Sequence, residues 1–290
     1  SDAVHVRCPA NISLLAIMLL AALRRPEVRW VKYAGNWQTT GRGAWSYRLQ
    51  RWWLNRGLHR GLVTINGYWP GQPKHVRSFP NPCLTEQELQ EAYAAAAGKR
   101  LEEPVHLLYV GQLLDSKGVD TVLRAVACLR GGDLPLTCDV IGDGARRREL
   151  EDLTASLGIE REVHFRGWMP RPALVPYYAR AHFILLPSRS EGWPKVLSEA
   201  MAYGVVPVAS HVGSIPQYLE RFGIGKTANP ADAEGFAGAI KWYTAHPSAW
   251  QEEARKGHEA AWEFSYEAYI RAVRDMLDGE GWQTRLVRRA

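Results

Sequence analysis

Two glutamates, Glu191 and Glu199, stand eight positions apart in the stretch SRSEGWPKVLSEAMA (188–202). Between them come Gly192, Pro194 and the start of an amphipathic helical pattern. Proline suits the first helical position, where its missing N–H costs nothing. Glu191 is therefore expected in the loop ahead of the helix and Glu199 in its second turn, so that both carboxylates can face one ligand. The unpaired N–H groups and positive dipole end of that helix make a ready anion site. Carboxylates beside an anion site point to a ligand with both hydroxyls and phosphate, which describes a sugar nucleotide.

Such residues need a rigid frame, and from about residue 104 the sequence supplies one. The apolar runs VHLLYVG (105–111), LTCDVIG (136–142), EVHFRG (162–167), HFILLP (182–187) and VVPVAS (205–210) alternate with helical segments over 118–130, 145–157, 171–180 and 194–203. This βαβ alternation predicts a doubly wound parallel sheet, with ligands at the carboxyl ends of its strands. Three further features fall on that side. VGQLLDSKGVD (110–120) carries Lys117, a point charge suited to a diphosphate. The Gly142-Asp143-Gly144 turn lets backbone approach closely. FRGWMP (165–170), with Trp168, ends a strand in a loop that can offer backbone groups to a base. Each also has an ordinary reading as a strand-to-helix turn, and only their combination is informative.

Residues 1–100 are poorer in strands. AVHVR (3–7), VRWVKY (28–33), GLVTIN (61–66) and HVRSF (75–79) are candidates, with Ile12–Leu23 and Trp45–His59 as helices. They suggest a partial α/β domain, and residues 80–104 read as a helix and linker. The expected organisation is a partial domain and linker over 1–100, a nucleotide-sugar-binding domain over 101–265, and a C-terminal helix and tail over 266–290. The helical region after about residue 231 is broken near His246-Pro247 and Phe264-Ser265.

A chain of 290 residues suits one or two domains, and 46% hydrophobic with 23% charged residues is a globular composition. The four cysteines are scattered, without CxxC or a Cys/His cluster, which favours free thiols over a disulfide frame or zinc site. The longest apolar run, Ile12–Leu23, has twelve residues, short of a membrane span. Charge is uneven: residues 1–85 hold twelve Lys/Arg against two acids, and the remainder 24 against 28. A cationic first third is compatible with an anionic lipid surface, an acidic acceptor or nucleic acid, though no nucleic-acid module is recognisable. In WSYRLQRWWLNRGLHR (45–60) the arginines interleave with aromatics, but the helical faces do not separate cleanly, so a partly buried helix is favoured over an interfacial one.

The order VGQL…KGVD, IGDG (141–144), EGWPKVLSEAMAYGVVPVAS (191–210) and Gly213 resembles the glycosyltransferases of family 4, whose hallmark is E-x7-E. The resemblance covers 104–265. It implies a GT-B fold, α/β with two Rossmann-like doubly wound parallel-sheet domains, the N-terminal one incomplete. It further implies a retaining, metal-independent transferase that moves a hexose-type sugar from a UDP-, GDP- or ADP-sugar to a hydroxyl of a glycan or lipid-linked acceptor. By resemblance the setting is cell-surface polysaccharide or glycoconjugate synthesis, in the cytoplasm or at the inner face of the membrane. No cofactor and no metal are expected. Lys117 would neutralise the leaving diphosphate, joined by the backbone N–H groups that the helix start over Trp193, Pro194, Lys195 and Val196 offers, Pro194 itself having none. Glu199 would accept from ribose hydroxyls, Glu191 would orient the transferred sugar, and Gly111, Gln112, Gly142, Gly144, Trp168 and Gly192 would line the donor site.

Three departures qualify this pattern. Gln112 stands where the family usually has an arginine paired with the lysine, so either another cation, Arg189 or Lys195, substitutes or donor binding is weaker. Asp2-Ala3-Val4-His5-Val6-Arg7 matches D-x-x-H-x-H except that Arg7 replaces the last histidine; Arg7 can face the reaction centre but cannot shuttle a proton. The strands and glycine-rich loop that the family places before this point are not in the sequence. These departures leave two alternatives: a fragment that binds the nucleotide sugar without transferring it, or a GT-B epimerase that forms product without an acceptor.

Overall fold

The computed structural model describes residues 3–38, 44–132 and 134–279. The first elements in chain order are β1 (Ala3–Cys8), α1 (Asn11–Ala22), β2 (Val28–Tyr33), α2 (Trp45–Asn55), β3 (Leu62–Ile65), β4 (Val76–Ser78) and α3 (Glu86–Ala95). There follow β5 (Val105–Val110), α4 (Val119–Arg130), β6 (Leu136–Ile141), α5 (Arg147–Ser156), β7 (Val163–Gly167), α6 (Val175–Arg180), β8 (Phe183–Leu186), α7 (Lys195–Ala202) and β9 (Val206–Ser210). The chain continues through α8 (Ile215–Phe222), β10 (Lys226–Ala228), α9 (Ala233–Ala245), α10 (Pro247–Ala261) and α11 (Tyr266–Gly279). The expected tail beyond Gly279, and Asp2 of the N-terminal motif, lie outside the described residues.

Among the described residues the strands form two parallel sheets. The first has the order β1-β2-β3-β4 and the second β10-β9-β8-β5-β6-β7. The second sheet winds outward in both directions from the β5–β8 pair, and its faces are both covered. Val105, Leu107 and Tyr109 of β5 pack into one core with α4, α9 and Trp250 of α10, while Leu108 points into the other core, with Tyr178, Leu197 and Met201. That alternation is the period-two signature of a strand buried on both sides.

In the first sheet the sequence hides two cations indoors. Arg29 of β2 is 3% exposed and donates to the carbonyls of Leu20, Leu23 and Pro26, each at 2.7 Å, supplying the partners that the end of α1 lacks. Lys32 is equally buried, and donates to Asn66 Oδ1 at 3.1 Å and the Phe79 carbonyl at 3.0 Å. The cationic excess of residues 1–85 is therefore not all surface.

The chain passes from the first sheet to the second through residues 79–85 and comes back at 264–266. The two crossings lie side by side: Cys83 N–H donates to the Phe264 carbonyl at 2.9 Å, and Tyr266 N–H to that of Leu84 at 2.8 Å. After the return, α11 places Met276, Tyr269 and Val273 against Val28, Leu62 and Phe79 of the first sheet. At the first crossing α3 starts from a capping box, in which Thr85 Oγ1 accepts from Glu88 N–H and Thr85 N–H donates to the Glu88 carboxylate.

Three local differences from the sequence reading have simple causes. The helix expected over 45–59 stops at Asn55 because Gly57 (φ +67°) and Arg60 (φ +58°) turn left-handed. The 171–180 helix begins as a 3-10 turn over Arg171–Leu174 and becomes α only at Val175, with Pro172 and Pro176 marking each start. Strand β10 was not expected, since Lys226-Thr227-Ala228 has no apolar run to announce it.

Candidate active site

The loops leaving β5 and β8 meet where the strand order of the second sheet reverses, the crevice in which parallel α/β sheets bind ligands. After β5 the chain makes a short turn over Asp115–Lys117, closed by Gly118 at φ +67°. A Cβ at Gly118 would lie 2.4 Å from the Pro187 carbonyl, so only glycine lets this turn sit against the exit of β8. Arg189 N–H then donates to the Ser116 carbonyl at 2.9 Å. Across the crevice Lys117 Nζ meets Glu191 Oε1 at 2.6 Å, with the glutamate side chain only 14% exposed. One loop's cation and the other's carboxylate are thus held as a pair at the switch point.

The Glu191 loop is clamped from two sides. Ser214 Oγ donates to the Gly192 carbonyl at 2.9 Å, and Gly213 (φ +57°) would, with a Cβ, come within 2.0 Å of the Glu191 carbonyl. On the opposite side Gly192 abuts the first sheet: an added Cβ would lie 2.3 Å from the Ala34 carbonyl and 2.6 Å from Asn66 Nδ2. The carboxyl ends of β2 and β3 therefore form the facing wall. Gln217 Oε1 accepts from Tyr68 N–H at 2.7 Å, which ties that wall to α8.

Glu199 sits in the second turn of α7, as expected from Pro194, which here caps the helix from just outside it. Its Oε2 accepts from the Tyr178 hydroxyl at 3.0 Å, and Arg171 Nε stands 3.8 Å from Oε1. Burial, reinforced by the Glu199 charge, pushes the Tyr178 pKa well above that of an ordinary phenol, so the hydroxyl stays protonated and donates. Burial, with Glu199 again adding to it, pushes the neighbouring Cys83 thiol up to about 12, which leaves it unreactive.

The glycine turns pack the loops after β5 and β6 against one another. Gly142 (φ +137°) would, with a Cβ, clash at 1.8 Å with the Gly111 carbonyl, and Gly144 at 2.5 Å with that of Leu113. Gln112 is exposed, its carbonyl accepting from the Tyr109 hydroxyl at 2.9 Å. Trp168, on the loop after β7, is 74% exposed. Trp193 is buried: its indole N–H donates to Ser198 Oγ at 2.7 Å and its ring stacks on Phe264, so only its backbone is open to a ligand role. At the start of α7 the N–H groups of Lys195 and Val196 have no partner within the helix. Lys195 Nζ lies 5.9 Å from the Tyr266 ring.

Arg7 belongs to the facing wall. It is exposed on β1, opposite Lys32 in the ladder, and among the described residues no hydrogen bond or ion pair joins it to Lys117 or Glu191. Burial, with the Arg7 charge adding to it, lowers the Lys32 pKa to about 7. Sequence reasoning missed Tyr178, Arg171 and Asp115. The first two come from a helix and turn with no motif, and Asp115 was read only as part of the VGQLLDSKGVD stretch.

The family model for glycosyl transferases group 1 matches residues 91–261, more than half of the chain. The chain belongs to this family. Among curated relatives, the lipopolysaccharide core biosynthesis glycosyltransferase LpsE of Rhizobium meliloti is 34% identical over 173 residues, 59% of this chain and 49% of that protein. The D-inositol 3-phosphate glycosyltransferase of Thermobifida fusca is 31% identical over 228 residues, 72% of this chain and 52% of that one. The chain thus spans about half the length of these group 1 relatives. Among solved structures, sucrose-phosphate synthase from Thermosynechococcus elongatus superposes with a TM-score of 0.75 at 21% identity, covering 96% of this chain and 73% of that one. Anabaena HepE, solved in complex with UDP, superposes at 0.73 and 16% identity, covering 95% and 78%. These likenesses show the fold, the paired parallel sheets of GT-B glycosyltransferases.

Proposed function

We propose that the crevice at the β5–β8 switch point binds a nucleoside-diphosphate sugar and that the protein of which this chain is at least a part transfers the sugar, a hexose, with retention, to a hydroxyl of a glycan or lipid-linked acceptor. The observation that carries the reading is the Lys117–Glu191 pair across that crevice, in a member of group 1. Lys117 and the free N–H groups of α7 stabilise the negative charge that develops on the departing diphosphate, and no metal is needed for that role. Glu199, its oxygens turned by Tyr178 and Arg171, keeps lone pairs for the ribose hydroxyls. Glu191 orients the transferred sugar, and Trp168 and the Gly142–Gly144 turn border the nucleoside. LpsE acts in lipopolysaccharide core biosynthesis, which supports a cell-surface glycan as the product class.

No helix among the described residues is long and apolar enough to cross a membrane. A peripheral position at the inner face of the cell membrane is supported instead by α1, whose Ile12, Leu15, Met18 and Leu19 are exposed, with Arg24 and Arg25 just after it and the exposed Trp45, Arg48 and Trp52 on α2, which packs against α1.

The test is thermal stability of the chain with UDP, GDP, ADP and their sugar conjugates. A ligand at a hundred times its dissociation constant adds about 2.7 kcal/mol. A shift with one nucleotide, lost in Lys117→Ala and Glu199→Ala, is expected. No shift with any of them overturns the reading, and turnover of the sugar conjugate without an acceptor would replace the transferase with an epimerase.

A further inference from the structure

Gln112, in the loop that carries Lys117, brings no charge to the crevice where the resemblance implies a second cation. The structure surrounds the crevice with two candidate replacements in different circumstances. Lys195 Nζ faces the Tyr266 ring, on the side where α11 starts. Arg189 is fastened by its own N–H to Ser116, within the turn that carries Lys117. Its guanidinium is held by Asp115, with NH1 at 2.6 Å from Oδ2. The other Asp115 oxygen faces Arg146 NH1 at 3.4 Å.

We infer that Arg189 is the second diphosphate-binding cation and that Asp115 holds it in reserve, releasing it to the donor by exchange of ion-pair partners. This rests on the donor-site reading above. The Asp115–Arg189 pair is an exposed one, at 68% and 50% of the side-chain surfaces, so it is a weak bond in water. A diphosphate offers more negative charge and several oxygens in the geometry that a guanidinium fork takes in pairs. Asp115 is not abandoned by the exchange, since Arg146 remains on its other oxygen, itself also paired with Asp120 at 3.3 Å. The swap therefore trades a screened carboxylate contact for a better one and strands no charge. Its consequence is unusual for an acidic residue at an anion site: Asp115 competes with the substrate for the same arginine, and so sets donor affinity without touching the donor.

The experiment is calorimetric titration of the full chain and its Arg189→Ala, Asp115→Ala and doubly substituted forms with UDP, GDP and ADP, and with the corresponding nucleosides. Arg189→Ala is expected to weaken the preferred diphosphate about 10- to 100-fold, the range of a charge-assisted contact. Asp115→Ala is expected to tighten it about two- to fivefold, by removing a surface competitor. The double variant should match Arg189→Ala, and nucleoside binding should be the same in all four proteins. An undiminished affinity in Arg189→Ala, or an unchanged or weakened one in Asp115→Ala, overturns the exchange while leaving the donor site intact. Failure of the unsubstituted chain to bind any of the three diphosphates overturns the donor site and the exchange together.

Discussion

The two sheets are built from the same kind of strand and are put to different uses. In the first, β1 to β4 follow one another across the sheet in a single direction, and the order never turns back among the described strands. In the second, the order turns back between β5 and β8, and the loops leaving those two strands carry Lys117, Asp115, Arg189 and Glu191 to one place. A reversal of winding parts two neighbouring loops, and a parted pair of loops is where charges can gather around a ligand. The first sheet instead uses its charges internally, Arg29 on carbonyls at the end of α1 and Lys32 on Asn66. The contrast suggests a division of labour, with one sheet supplying chemistry and the other a fixed wall.

The largest expected effect is on the chemical side. Lys117→Ala should lower kcat/KM by about two orders of magnitude, the usual scale for one removed oxyanion-stabilising group, in steady-state assays with the preferred donor. The parallel change Arg7→Ala, on the wall, should cost less than about tenfold, and an equal loss would break the division. Next comes Gly192→Ala, which drives a methyl into the Ala34 carbonyl and Asn66 across the two sheets. Overpacking of this kind costs about 1–3 kcal/mol, readable by urea unfolding, and a neutral result would mean the wall is not pressed against the loop.

Lys32→Met probes the wall alone. The folded pKa of Lys32 is about 7 against an ordinary 10.5, so between those values the unfolded chain holds more protons and stability rises with pH. Below pH 7 the penalty is fully present; above 10.5 it is gone. The stability of Lys32→Met relative to the unsubstituted chain should therefore be most favourable near pH 6 and decline toward pH 10, whatever constant offset the lost hydrogen bonds to Asn66 and Phe79 impose. A pH-independent difference in unfolding free energy would show that Lys32 is charged throughout. The smallest effect is expected from Leu19→Ser on the exposed side of α1, within about 0.5 kcal/mol.

Much of this was legible beforehand, for physical reasons that differ by residue. The inner strands of the second sheet, β5, β6, β8 and β9, announce themselves because they are largely apolar on both faces, and Glu199 could be placed in the second turn of α7 because Pro194 marks the helix start. Lys117 and Glu191 were candidates from their loops, but their direct contact depends on the β5–β8 adjacency, which joins residues 74 positions apart. Tyr178 could not be foreseen as the partner of Glu199, since a tyrosine in a short helix reads as core. Nor could the burial of Arg29 and Lys32, because VRWVKY offers no sign that carbonyls wait inside for its cations. The sequence also gave no hint that Trp193 turns its ring into the core against Phe264 and Tyr218.

The side-by-side crossings at 83–84 and 264–266 join the two halves in a single seam made of two leaves. The halves cannot slide along it without breaking the Cys83–Phe264 and Tyr266–Leu84 hydrogen bonds. A cut in the first leaf would not separate them either, because α11 reaches back to grip the first sheet through Met276, Tyr269 and Val273. Two pieces divided there should stay together in solution and melt as one body.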